Sequence, residues 1–163
     1  MSDLDALGSR LIDLMNWVQD GGSVLFAMTP QKTTYFDAIS PKLGVLSSSW
    51  EYKTAESIVP TEEFMLGGGQ RYEFSDPFQS SLSVSLREEA TVYARTGDEG
   101  VPLVWGTKSG AGRVVVDNIG IYDKIMRGIY AASFSLLCDA AAYPVINSAV
   151  FYLDDFQIGR ASC

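Results

Sequence analysis

The first third of the chain alternates between amphipathic and fully apolar stretches. Apolar residues at three- and four-residue steps predict a helix from about Asp3 to Gln19. Gly21-Gly22 ends that pattern. The continuous apolar run from Ser23 to Met28 is typical of a parallel strand covered on both faces. This order predicts the helix and strand of an α/β unit.

The middle of the chain has weaker patterns. A second helix is predicted from Thr33 or Thr34 to Leu43, with Gly44 as its terminator. From Ser47 to Gln79 the pattern is largely irregular, with one short strand near residues 56–59, and Gly67 to Gly69 is interpreted as a flexible loop. Period-two alternation predicts strands at 82–86 and 91–94.

The last clear patterns predict a hairpin and a long helix. The segments 101–106 and 112–118 flank a short turn with a glycine, as in an antiparallel hairpin. The second arm is expected to be central in the sheet and the first nearer an edge, where Pro102 costs less. A helix is predicted from Tyr122 to Ala142. Together these elements predict an α/β fold of three layers, flavodoxin-like, with a mostly parallel sheet and one antiparallel hairpin.

Composition narrows the function classes. The 163 residues carry a net charge of −8, which disfavours nucleic acid as a partner because binding to a phosphate backbone requires Lys and Arg. No apolar run reaches the roughly 18 residues of a membrane-spanning helix, and the first residues do not resemble a secretory signal. The chain has no histidine, so the usual general base and commonest metal ligand are missing.

Several patches carry a family resemblance. Pro102-Leu103-Val104-Trp105 and Gly112-Arg113-Val114-Val115-Val116 are similar to the closing strands of glutamine-amidotransferase-like domains. The segments Asp117-Asn118-Ile119, Tyr143-Pro144-Val145-Ile146-Asn147-Ser148 and Phe151-Tyr152-Leu153-Asp154-Asp155-Phe156 resemble an uncharacterised bacterial family. In that family an amidotransferase-like domain precedes a polysaccharide-deacetylase-like barrel.

The resemblance implies a domain plan. Residues 1–147 are expected to form a degenerate amidotransferase-like domain, and residues 148–156 the first strand of a missing barrel. Residues 157–163 are expected to be a non-native tail, so the chain is expected to be a truncated fragment. Glutaminase chemistry is not expected, since Cys138 falls late in a predicted helix and there is no histidine for a triad.

The resemblance also assigns roles to two carboxylates. Asp154 matches the general base that activates water in deacetylases, and Asp155 matches the carboxylate ligand of their divalent metal. The remaining family ligands are histidines, which this chain lacks. No cofactor is therefore expected in this fragment. A divalent metal is expected only in the parent, the longer protein that would contain the complete barrel. The alternative is that both aspartates simply end a strand and face solvent.

A second candidate site lies where the last predicted strand turns into a helix. Strand ends of this kind bind ligands in open α/β sheets, and the polar residues there are Asp117, Asn118, Tyr122, Asp123, Lys124 and Arg127. The predicted ligand-binding residues among them are Asn118, Asp123, Lys124 and Arg127. Lys124 and Arg127 could hold an anionic or sugar ligand. The favoured alternative is an Asp123–Arg127 ion pair that supports the helix start.

The function expected from these observations is an accessory domain of a bacterial carbohydrate deacetylase-like protein, inactive by itself. Its expected partners are its own missing barrel and carbohydrate. The alternative is a non-enzymatic ligand-binding or interaction module of an exopolysaccharide system.

Overall fold

The computed structural model describes residues 5–31, 34–97, 100–121 and 124–138. Its three α-helices are short: α1 (Arg10–Gln19), α2 (Phe36–Ile39) and α3 (Arg127–Ser135). Short 3-10 helices lie at Asp5–Leu7, Ser40–Leu43 and Lys124–Met126. None of the described helices is long and apolar enough to cross a membrane.

Six strands form one mixed sheet. In chain order they are β1 (Ser23–Phe26), β2 (Val45–Pro60), β3 (Tyr72–Leu86), β4 (Thr91–Thr96), β5 (Pro102–Ser109) and β6 (Gly112–Asp117). Their order across the sheet is β1-β6-β5-β4-β2-β3. Among these described strands, β1 and β6 pair in parallel and the other four pairings are antiparallel.

The predicted flavodoxin-like fold with a mostly parallel sheet is therefore wrong. The error comes from residues 47–79, which have a largely irregular pattern but lie mostly in two strands of 16 and 15 residues, β2 and β3. Register shifts at several points of the β2–β3 ladder break the period-two pattern that would reveal long strands. The connection between them, residues 61–71, falls short of the roughly dozen or more residues that a crossover between parallel strands needs, so the two strands pair antiparallel.

The hairpin of β5 and β6 is confirmed, with Lys108 opposite Arg113 and Ser109 opposite Gly112 beside the turn. The prediction that the first arm lies nearer an edge is wrong, since β5 lies between β6 and β4. Pro102 is tolerated there because it is the first residue of the strand. The proline inside the end strand β3, Pro77, is exposed, as expected where a missing N–H costs no ladder hydrogen bond.

Two apolar clusters lie on the two faces of the sheet. The first packs Leu11, Met15 and Val18 of α1 and Phe36 and Ile39 of α2 against the sheet. Trp105 of β5 is fully buried in this cluster, and its indole Nε1 donates a 2.8 Å hydrogen bond to the carbonyl oxygen of Leu43. The second cluster packs Met126 and Ile129, around the start of α3, against the other face.

Candidate functional site

The carboxyl ends of β1 and β6 lie side by side, because these two strands are parallel. This is the position at which open α/β sheets bind ligands. Here the segment Ser80 to Leu82 of β3 covers it. The hydroxyl group of Thr29, three residues after β1, donates a 2.6 Å hydrogen bond to the carbonyl oxygen of Ser80.

Asn118, the residue after β6, joins this covering segment to the sheet. Its Oδ1 accepts a 2.7 Å hydrogen bond from the backbone N–H of Leu82, and its Nδ2 donates to the carbonyl oxygen of Leu82 at 2.8 Å. Nδ2 also donates to the carbonyl oxygen of Pro102 at 2.8 Å. Asn118 is fully buried, so a ligand could reach its amide only if β3 moved away.

Gly120 lies against the same segment. A Cβ atom added at Gly120 would come within 2.0 Å of Ser80 Oγ and 2.3 Å of Ser80 Cβ. The absence of a side chain at Gly120 is therefore what allows β3 to approach this closely. We call the contacts of Thr29, Asn118 and Gly120 with Ser80 to Leu82 the strand-end closure.

Asp117, the last residue of β6, points to the opposite side of the strand from Val116, into the face covered by α3. It is fully buried, and its Oδ1 accepts a 2.6 Å hydrogen bond from the hydroxyl group of Ser133 on α3. Its other oxygen, Oδ2, is buried without a hydrogen-bond partner among the described residues. Burial raises the pKa of Asp117 to about 7, while the hydrogen bond from Ser133 lowers it by a smaller amount. The carboxyl group is therefore partly protonated at neutral pH.

The other residues predicted at this strand end are not buried as Asp117 and Asn118 are, or lie outside the described residues. Lys124, in the 3-10 helix, and Arg127, the first residue of α3, are both exposed. Asp123 lies outside the described residues, so the predicted Asp123–Arg127 ion pair stays a prediction. Asp154 and Asp155 also lie outside them. Within the described part of the chain, no group of three or more His, Cys, Asp or Glu side chains could hold a metal ion.

Sequence reasoning placed Asp117 near the candidate ligand site but missed its burial and its contact with Ser133. One signal was available. In a strand, residues two apart share a face, so the apolar character of Val115 indicated that Asp117 also faces a core. No local signal indicates that Ser80 to Leu82, some 36 residues away from Asn118, would cover the strand ends.

The fold and this closed site define a small mixed α/β domain in which the strand ends are filled by the chain itself. The sequence pattern of the family described as uncharacterised protein conserved in bacteria (DUF2194) matches residues 1–86 and 73–161. The chain belongs to this family. No curated protein matches it.

Solved structures share parts of this arrangement. The cytoplasmic protein STM3548 from Salmonella typhimurium is 14% identical, with a TM-score of 0.54 over 78% of this chain and 59% of that one. This likeness supports the fold alone. The exo-β-1,4-mannosidase Op5Man5 from Opitutaceae bacterium strain TAV5 is 26% identical, with a TM-score of 0.48 over 69% of this chain. The β-galactosidase from Rahnella sp. R3 is 19% identical, with a TM-score of 0.48 over 76% of this chain. This chain covers 18% and 20% of the length of those two enzymes.

Proposed function

We propose that this chain is a non-catalytic accessory domain of a bacterial carbohydrate deacetylase-like protein. In this proposal, catalysis belongs to a barrel that begins near residue 148. Asp154 would serve there as the general base and Asp155 as a metal ligand, as the sequence resemblance implies.

The observation that carries the non-catalytic part of the proposal is the strand-end closure. The carboxyl ends of the parallel strands are the usual ligand position in such sheets, and here Ser80 to Leu82 covers them. Asn118 uses both its carbonyl oxygen and its amino group to hold that segment. Residues that would otherwise bind a substrate therefore stabilise the fold.

The described residues contain no group of His, Cys, Asp or Glu side chains that could hold a metal ion, and catalysis is assigned to the barrel instead. When bound in the parent barrel, a divalent metal would polarise the amide carbonyl and lower the pKa of a bound water molecule. Within this chain, only Asp154 and Asp155 would take part in the reaction.

The test compares this chain with a product of the source gene that extends through the proposed barrel. The probe is penta-N-acetylchitopentaose with added Zn²⁺ or Co²⁺, and the measured quantity is released acetate. We expect release only from the longer protein. We expect Asp154→Ala to reduce it at least about 100-fold, since general bases contribute about 10²–10⁴-fold. We expect Asp155→Ala to release little acetate even when Zn²⁺ or Co²⁺ is added, because the metal loses a ligand. The exposed Asp20 provides the control variant, Asp20→Ala, which should keep full activity.

Two results would contradict the proposal. Acetate release by the 163-residue chain itself would show that this domain is catalytic. A longer protein that contains the barrel but releases no acetate, or whose activity survives Asp154→Ala, would exclude the deacetylase assignment.

A second candidate function is an interaction module that binds an anionic saccharide. The observation that favours it is the exposure of Lys124 and Arg127, three residues apart at the start of α3. Titration with hexagalacturonate, and with maltohexaose as the neutral control, tests it. We expect the double variant Lys124→Ala/Arg127→Ala to lose binding to the anionic saccharide. The exposed Arg87 and Lys108, changed to alanine together, provide a control of equal charge, and equal loss in both double variants would indicate non-specific attraction.

A further inference from the structure

The contact between Asp117 and Ser133 joins the end of β6 to the middle of α3. Both residues are fully buried, and the hydroxyl–carboxyl distance is 2.6 Å. Ile129 and Ser133 are the two buried residues of α3. The contact is therefore one of the main places at which α3 is held to the sheet.

The surroundings of this contact favour an uncharged carboxyl group. Leu103, Val104 and Val115 of the sheet and Met126 and Ile129 from the α3 side form the apolar cluster on this face. Asp117 Oδ2 has no partner among the described residues. A buried carboxylate with a single donor is strongly disfavoured, whereas a neutral carboxyl group costs far less to bury.

Among the described residues, the other titratable groups on this face do not replace the missing donor. Burial and Ser133 are the causes that set the pKa of Asp117. Tyr130 of α3 donates its hydroxyl hydrogen to the carbonyl oxygen of Ile121 at 2.7 Å, and Lys124 and Arg127 are exposed. The remaining titratable or charged groups on the packed elements lie elsewhere on them: Tyr93 and Arg95 of β4, Lys108 of β5, Arg113 at the opposite end of β6, Arg10 and Asp13 of α1, and Lys42 of the 3-10 helix Ser40–Leu43.

We propose that Asp117 and Ser133 form a proton-dependent latch, which holds α3 on the sheet while the carboxyl group is protonated and loosens when that group ionises. Opening α3 admits water to Oδ2, so the open form prefers the ionised carboxylate. The closed form prefers the protonated one. Rising pH therefore shifts the balance toward the open form. The proposal is independent of the function proposed above.

The direction of the pH effect follows from the pKa of Asp117 in the closed and open forms. In the closed form the pKa is about 7, and in the open form it returns toward the ordinary value of 3.8. The closed form is therefore fully favoured below about pH 4. The equilibrium ratio of the closed to the open form falls by up to about tenfold per pH unit as pH rises toward 7. Above about pH 7 the ratio levels off, because Asp117 is then ionised in both forms.

Hydrogen exchange of the α3 amides, divided by the intrinsic rate at each pH, tests the latch on the whole chain from pH 4 to 9. We expect the protection of residues 129–135 to fall with pH, to level off near pH 7 and to stay below that of the α1 amides throughout, since α3 opens without the rest of the chain. Asp117→Asn should remove the pH dependence, because an amide does not ionise. Asp13→Asn, on the exposed face of α1, should keep the wild-type profile.

Ser133→Ala gives a second, independent measurement. Removing the donor that lowers the pKa of Asp117 should move the levelling-off to higher pH. A wild-type profile that is flat, or one that Asp117→Asn does not change, overturns the proposal. If Asp117→Asn does not fold, coincident profiles for wild type and Ser133→Ala overturn it equally.

Discussion

The side-chain amide of Asn118 forms two hydrogen bonds with the backbone of Leu82, which lies 36 residues earlier in the chain. Together with its third bond to Pro102, this pairing fastens β3 over the ends of β1 and β6. One polar side chain thus joins the end of β6 to β3 and to β5. The contact explains why a residue of this type follows the strand.

Asn118→Ala should destabilise the chain by about 3 kcal/mol or more. It leaves three buried backbone groups without their partner, and each such group costs about 1–3 kcal/mol. Urea unfolding monitored by circular dichroism measures the change. Asn16 provides the control, because it is exposed on α1 and its side-chain Oδ1 accepts a solvent-exposed 3.1 Å hydrogen bond from Lys42. Asn16→Ala should change stability by less than about 0.5 kcal/mol. Equal effects of the two variants would contradict the closure.

Gly120→Ala tests the close approach of β3. The new methyl group would overlap Ser80, so β3 must shift and we expect a loss of about 1–3 kcal/mol. Adding Ser80→Gly should recover part of that loss, since it removes the atoms that the methyl group meets. Gly128→Ala is the matched control: Gly128 is exposed in α3 with no atom near its Cβ position. That variant should gain about 0.5–1 kcal/mol, because alanine favours a helix over glycine.

The buried acid makes global stability depend on pH. The folded-state pKa of Asp117 is raised from 3.8 to about 7, so its contribution to stability is fully present below about pH 4 and is lost as pH rises to about 7. The slope from this group alone should reach at most about 1.4 kcal/mol per pH unit. Denaturant titrations of wild type and Asp117→Asn at pH 5, 6, 7 and 8 measure it. Wild type should lose stability relative to Asp117→Asn as pH rises from 5 to about 7. A stability difference that stays constant with pH would contradict the burial of an ionisable group at this position.

Trp105→Phe should cost about 2 kcal/mol. Trp105 is fully buried, and its replacement leaves the carbonyl oxygen of Leu43 without a donor and creates a small cavity. Trp17 is 54% exposed, so Trp17→Phe should change stability by less than about 0.5 kcal/mol. Thermal unfolding of both variants separates the two tryptophans, and a larger effect at Trp17 would contradict the assigned core.

Local patterns predicted several elements because their causes are local. The run Ser23 to Met28 predicted β1, and the glycine-containing turn with its two apolar arms predicted the β5–β6 hairpin. The helix predicted from Asp3 was shorter than expected, since α1 begins at Arg10 after a separate 3-10 turn. Gly44 ends the second helical segment as predicted, with a φ of 76°.

The sequence by itself determined these short elements and the apolar face of α1, because spacing along one segment decides which side chains meet. Only the tertiary structure decided the direction of most strands and the use of Asn118 and Asp117. Those outcomes depend on β3 returning to β6 and on α3 covering Asp117, contacts between residues far apart in the chain. A polar residue after a strand is compatible with binding a ligand or with closing a fold, and its distant neighbours determine which.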